Sequence, residues 1–106
     1  MSFTELRQTV LAEIKNLCDS YAEFQLKMRS RTQKIQKITK EINTCLEVYS
    51  MRFEACEKTG NAAEIKMLVE RFKRDMGTAI NVKDASQLPP DYDKFKAKIV
   101  AQLAKL

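Results

Sequence analysis

Apolar residues recur along the first half of the chain in alternating steps of three and four. Val10, Ile14, Leu17, Tyr21, Phe24 and Met28 form one run, and Ile35, Ile38, Ile42, Cys45, Tyr49 and Cys56 continue it. Steps of three and four bring side chains onto one face of an α-helix, and a sustained run of them is a coiled-coil-like stripe. The first 59 residues contain no Gly and no Pro, where average usage would place about seven. Ser2 followed by Glu5 marks a helix start of the capping-box type.

The stripe misses one beat at Arg31, between Met28 and Ile35. Two arrangements follow. One is a single rod of about 80 Å, at 1.5 Å per residue. The other is an antiparallel hairpin that turns near residues 29–34, where Ser30 and Gln33 have capping-box spacing. The width of the stripe favours the hairpin. Leu6, Leu11 and Cys18 broaden the apolar face near the start, and Leu46, Val48 and Phe53 broaden it near residue 50, whereas it is narrow from Gln25 to Lys40. A hairpin sets the two broad regions side by side at its open end, where one further helix covers both. A rod holds them some 50 Å apart.

Thr59-Gly60-Asn61 ends the second segment, with Gly60 suited to a left-handed cap and Asn61 to a new N-terminus. Ile65, Leu68, Val69, Phe72 and Met76 give a third amphipathic helix that stops near Gly77. Residues 77–90 then read as a linker, with a short extended stretch at Ile80-Asn81-Val82. Pro89-Pro90 suits a helix start just beyond it. Tyr92, Phe95, Ile99, Leu103 and Leu106 form the face of a fourth helix, with Asp91 and Asp93 at its positive end. The expected fold is an all-α single domain over residues 1–106. It is a long antiparallel helical hairpin (3–28 and 33–58) braced by two shorter helices (61–76 and 91–106).

Composition narrows the chemistry. The chain has no His, and its two glycines stand apart, so the commonest general base and a Gly-rich phosphate loop are both missing. Three cysteines, Cys18, Cys45 and Cys56, form no CxxC pair and are too few for a closed zinc site. They read as reduced thiols packed as small hydrophobes. Glu54 and Glu57 share a helix face and read as solvated surface. No enzyme, metal or cofactor is expected. No apolar run approaches the ~20 residues of a membrane span. The N-terminus lacks a secretion signal, so the expectation is an intracellular, cytoplasmic protein.

Charge is unevenly placed. Lys27, Arg29, Arg31, Lys34, Lys37 and Lys40 fall within residues 24–40 with no acidic residue, a local +6 in a chain of net +5. In the hairpin this segment is the tip. A patch of that kind attracts acidic protein surface, nucleic acid or anionic lipid, although no aromatic residues interleave with the lysines, and neither nucleic acid nor lipid is favoured.

The expected function is that of an interaction protein, a small structural or adaptor subunit that forms homo- or hetero-oligomers through its helices. The stripe of Ile14, Leu17, Tyr21, Phe24, Met28, Ile35, Ile38, Ile42 and Tyr49 is the expected partner-binding face, because the third helix is too short to cover it. A second copy, another helical partner or the fourth helix would cover the rest. A small helical chaperone or inhibitor of a partner protein is a further reading. Pro89, Pro90 and Tyr92 match the PPxY ligand of WW domains. The fourth helix, with Lys94, Lys96, Lys98 and Lys105 opposite Phe95, Ile99 and Leu103, resembles a membrane-surface helix, a reading ranked below burial in a core.

Overall fold

The computed structural model describes residues 2–28, 32–82 and 88–106, and four helices account for most of them. They are α1 (Phe3–Met28), α2 (Thr32–Thr59), α3 (Ala62–Ile80) and α4 (Tyr92–Leu103). α1 and α2 pack side by side as the long hairpin, in a molecule 46 Å long and 23 by 20 Å across. The turn expected near residues 29–34 falls partly on residues 29–31, which lie, with Arg29 and Arg31, outside the described residues.

Local signals set the helix ends. Ser2 Oγ accepts the Glu5 N–H at 3.2 Å and starts α1. Gly60 takes φ +68°, the left-handed geometry that a Cβ disfavours, and reverses the chain after α2. Asn61 Oδ1 then accepts the N–H groups of Ala63 (3.0 Å) and Glu64 (3.3 Å), two of the donors that the first turn of α3 leaves unpaired.

α3 does not stop at Gly77. It runs on to Ile80 and closes with the Asn81 N–H on the Gly77 carbonyl at 3.0 Å. Val69, Phe72, Met76 and Ile80 form one buried face. Extending that face by the fully buried Ile80 outweighs the roughly 1 kcal/mol that glycine costs inside a helix. Extended backbone begins at Asn81 rather than at Ile80. The linker is correspondingly shorter than the 77–90 expected, with residues 83–87 outside the described set. α4 is likewise shorter than expected and ends at Leu103, followed by two tight turns.

Long-range pairs give the helix directions. Cys56 near the end of α2 meets Glu64 near the start of α3, and Tyr49 meets Asp75 further along, so α3 runs back along α2. Asp91 meets Gln25 and Tyr21, so α4 starts beside the last turns of α1 and runs back along it. α3 and α4 touch more lightly. The topology is an up-down-up-down four-helix bundle.

Its core has two aromatic centres. Near the open end of the hairpin, the Phe53 ring lies 6.1 Å from Phe3, 6.4 Å from Tyr49 and 5.9 Å from Phe72, the last edge-on. The fully buried Arg7 guanidinium lies over the same ring and forms a bidentate pair with Glu57, joining the first turns of α1 to the last of α2. Toward the tip, Tyr21 stacks on Phe95 at 4.2 Å, with Tyr92 at 6.5 Å from Tyr21.

Candidate protein-binding groove

The bundle buries most of the stripe that was expected to bind a partner. Ile14, Ile35, Ile38, Ile42 and Tyr49 belong to the chain's own core, and Leu17 and Tyr21 are half-buried against it. Of the three covers weighed for the part that α3 leaves open, it is the fourth helix that supplies it. α4 lies along the tip half of α1 and supplies Phe95 and Ile99 to the same core. Phe24 is the exception, at 51% exposed. The side chain of Met28 lies outside the described residues.

Two lower-ranked readings of the C-terminal segment fail on burial. Tyr92 is 4% exposed and donates its hydroxyl to the Ile80 carbonyl, capping the end of α3. Pro89 is buried, and its carbonyl accepts the Tyr92 N–H at 3.1 Å in a turn. Pro90 is exposed, but a WW groove needs an accessible tyrosine after an extended proline pair, and neither condition holds. The apolar face of α4 is closed to membranes for the same reason. Phe95, Ile99 and Leu103 point into the core, leaving Lys94, Lys98 and Lys105 on an exposed face that lacks them.

The described lysines of the basic segment occupy distinct settings. Lys27 pairs with Glu23 at 3.7 Å on the exposed side of α1. Lys34 is half-buried. Lys37 and Lys40 are exposed, form no ion pair among the described residues, and flank a groove.

That groove runs between α2 and α3. Its tip half encloses 740 Å³, with Cys45, Val48, the Tyr49 ring and Ala79 as floor and Lys37, Lys40, Glu41, Arg52 and Asp75 around the rim. Arg52 also borders a second hollow of 780 Å³ toward the open end, lined by Ala55, Cys56, Met67, Leu68, Glu64 and Arg71. The two hollows lie in line along one side of α2. Val48 (39%) and Met67 (54%) leave apolar surface in water along the groove, and Met51 (71%) is exposed outside its lining.

The groove walls are held by their own contacts. Tyr49 donates its hydroxyl to the Asp75 carboxylate, which pins α3 to α2, and Arg52 lies 5.3 Å over the Tyr49 ring. Burial raises the Tyr49 hydroxyl above its usual pKa, and the bond to Asp75 raises it further, so the donor stays protonated. The thiols here are poor nucleophiles. Burial raises Cys45 to about 11, with nearby Asp75 adding to the effect. Cys56 is raised by desolvation and then by Glu64 and Glu57. Reactive thiols are those whose pKa is lowered. Among the described residues no group of His, Cys, Asp and Glu is placed to hold a metal, and no helix is long and apolar enough to cross a membrane.

A smaller hollow of 290 Å³ lies between α1 and α4, where Phe24 and the Tyr21–Phe95 stack meet Lys94 and Lys98. Most of its aromatic surface is already engaged in the stack.

Sequence reasoning missed Val48, Met51 and Met67 as surface. The signal in α2 was present but weak. Val48, Met51 and Ala55 recur in steps of three and four, which describes a second stripe beside the core one. No family model matches the chain, and no curated protein or solved structure matches it.

Proposed function

We propose that the chain is a non-enzymatic helical interaction protein, a small subunit or adaptor that binds a partner protein in the groove between α2 and α3. One observation carries this reading. Two apolar floors, at Cys45 and Val48 and, past Arg52, at Met67 and Leu68, lie in line and are flanked by charged side chains. An apolar centre within a polar rim is the anatomy of a protein interface. The long side of a helix pair also suits helix-in-groove recognition.

The test is a substitution that spoils the groove and spares the core. Val48→Asp places a charge on the groove floor at a site that already meets water. Light scattering of the purified chain, alone and with a co-purifying partner, should show an assembly that Val48→Asp dissolves while circular dichroism keeps the full helical signal. An assembly indifferent to this change would refute the reading. A partner that exchanges freely on dilution would mark a chaperone or inhibitor, and one that stays bound would mark a structural subunit.

A second reading is favoured by the charge of residues 24–40, which carry six basic residues and no acid. Binding to a polyanion, nucleic acid or an anionic lipid surface, would fall steeply with salt. It would weaken on Lys37→Glu with Lys40→Glu and be indifferent to Val48→Asp.

A further inference from the structure

We infer that the occupant of the α2/α3 groove is an acidic amphipathic helix, laid along α2 with its carboxylates at the tip end against Lys37 and Lys40. This rests on the groove being a protein-binding site and adds the shape, charge and placement of what it holds.

Shape comes first. The two hollows follow α2 from Lys37 to Thr59, a run of about 33 Å at 1.5 Å per residue. Their walls are two antiparallel helices, so the channel is long and straight. An extended strand would leave its backbone N–H and C=O groups unpaired against an apolar floor, because neither wall has a free backbone edge to offer. A helix satisfies its own backbone and needs only a side-chain stripe facing the floor.

Charge then separates the two ends. At the tip end, Lys37 and Lys40 have no ion-pair partner among the described residues. Asp75 keeps its charge while it accepts the Tyr49 hydroxyl, so the rim there sets Lys37, Lys40 and Arg52 against Glu41 and Asp75. At the open end Arg52 and Arg71 face Glu64. The two linings carry the same small positive excess, and Lys34, one helical turn before Lys37 on α2, adds to it at the tip. A second copy of this chain is a poor occupant, because it would bring another +5 molecule against the same lysines. Like charges brought together at an interface weaken it and select against the wrong partner.

The experiment uses two synthetic amphipathic peptides of about 22 residues, the length that fills the groove. Both carry the same leucine stripe. One has three glutamates flanking that stripe at one end, and the other has three lysines in their place. Binding to the full chain is read by fluorescence anisotropy.

The glutamate peptide should bind at least about tenfold more tightly, with the preference shrinking as salt rises. Lys37→Glu with Lys40→Glu should reverse the preference, and Val48→Asp should abolish binding of both peptides. A photo-crosslinker at the acidic end should label residues 37–44. Equal binding of the two peptides, lost with Val48→Asp, would overturn the acidic helix and leave the groove standing. A preference that survives the lysine reversals would also overturn it. Self-association of the chain that Val48→Asp abolishes would name a second copy as the occupant instead. Binding of neither peptide, or binding indifferent to Val48→Asp, would overturn the groove reading together with this one.

Discussion

Tyr21 on α1 donates its hydroxyl to the carboxylate of Asp91, the residue that precedes α4, at 2.9 Å. Asp91 stands at the N-cap position, yet its side chain makes no bond to the first turn of its own helix. Gln25 Nε2 reaches both of its oxygens at 3.2 Å, so the carboxylate is spent on α1. The same linkage recurs on the opposite side of the bundle, where Tyr49 of α2 donates to Asp75 of α3. Each outer helix is thus fastened to one arm of the hairpin by a tyrosine–carboxylate bond.

Asp91→Ala should destabilise the protein by about 1–3 kcal/mol, because the half-buried Tyr21 hydroxyl and the buried Gln25 amide both lose an acceptor. Asp91→Asn keeps one acceptor oxygen and should lose less. Asn61→Ala, where the side chain does cap its helix, should cost about 1 kcal/mol through the cap alone. Urea denaturation of the three variants gives the ranking. An Asp91→Ala loss no larger than that of Asp91→Asn would contradict the shared-acceptor account.

The pair Arg7–Glu57 lies where the two arms of the hairpin meet at the open end, with the side chains 3% and 13% exposed. Arg7→Leu leaves the Glu57 carboxylate without its partner in a poorly solvated site and should cost about 3–5 kcal/mol. Replacing both, as Arg7→Met with Glu57→Leu, removes the stranded charge and should recover most of that loss. Chemical denaturation of the two singles and the double closes the cycle. Additive losses would show that the two groups do not act as a pair.

Some of this architecture was legible in the chain and some was not, and the division follows distance along the sequence. The hairpin could be read because its evidence is local: a stripe in steps of three and four, narrow near Gln25–Lys40 and wide at both ends. Ser2, Gly60 and Asn61 act within a few residues of themselves and sit where their side chains or backbone require. Tyr21 and Phe95 are 74 positions apart, and nothing in either neighbourhood announces a 4.2 Å stack. Without that contact α4 had no assigned place, and residues such as Ile14 and Ile38 looked short of cover. Asp91 misled for a related reason. Its position beside Tyr92 suggests a helix-dipole partner, whereas the tertiary contact with Tyr21 and Gln25 takes its carboxylate. The groove residues Val48 and Met67 carry no strong periodic signal, since a surface left open after packing is defined by what fails to cover it.

The two glycines should respond in opposite senses to the same substitution. Gly77 lies inside α3 with nothing within 4 Å of where a Cβ would stand. Gly77→Ala should therefore stabilise the protein by about 0.5–1 kcal/mol, through the lower entropy of the unfolded chain and better helix propensity. Gly60 also has open space around it, but its φ of +68° strains any L side chain, so Gly60→Ala should destabilise by about 1 kcal/mol. Melting temperatures of the pair separate a backbone effect from a packing effect. Two changes of the same sign would contradict it.

Stability should fall as the solution is made alkaline. Burial raises the Cys18 thiol from 9.0 to about 12, with Asp19 adding to the shift, and raises the Tyr92 hydroxyl from 10.0 to about 12, helped by Asp93. In both groups the folded state holds the proton more tightly than the unfolded chain does. The stabilisation is complete below the unfolded values of 9.0 and 10.0 and is lost as pH rises toward the folded value of about 12. Structure supplies the reason in each case. Cys18 Sγ donates to the Thr39 carbonyl at 3.6 Å and Tyr92 donates to the Ile80 carbonyl, so an ionised form would set a negative charge against a carbonyl oxygen in the core. Melting curves followed by circular dichroism should show a midpoint nearly constant from pH 7 to about 8.5 and falling from about 9 upward. Tyr92→Phe removes one of the ionisations that contribute and should lessen the fall above pH 10, at a cost at neutral pH of about 1–3 kcal/mol for the unpaired Ile80 carbonyl. A slope above pH 10 unchanged in that variant would show that the Tyr92 hydroxyl takes no part in the alkaline loss.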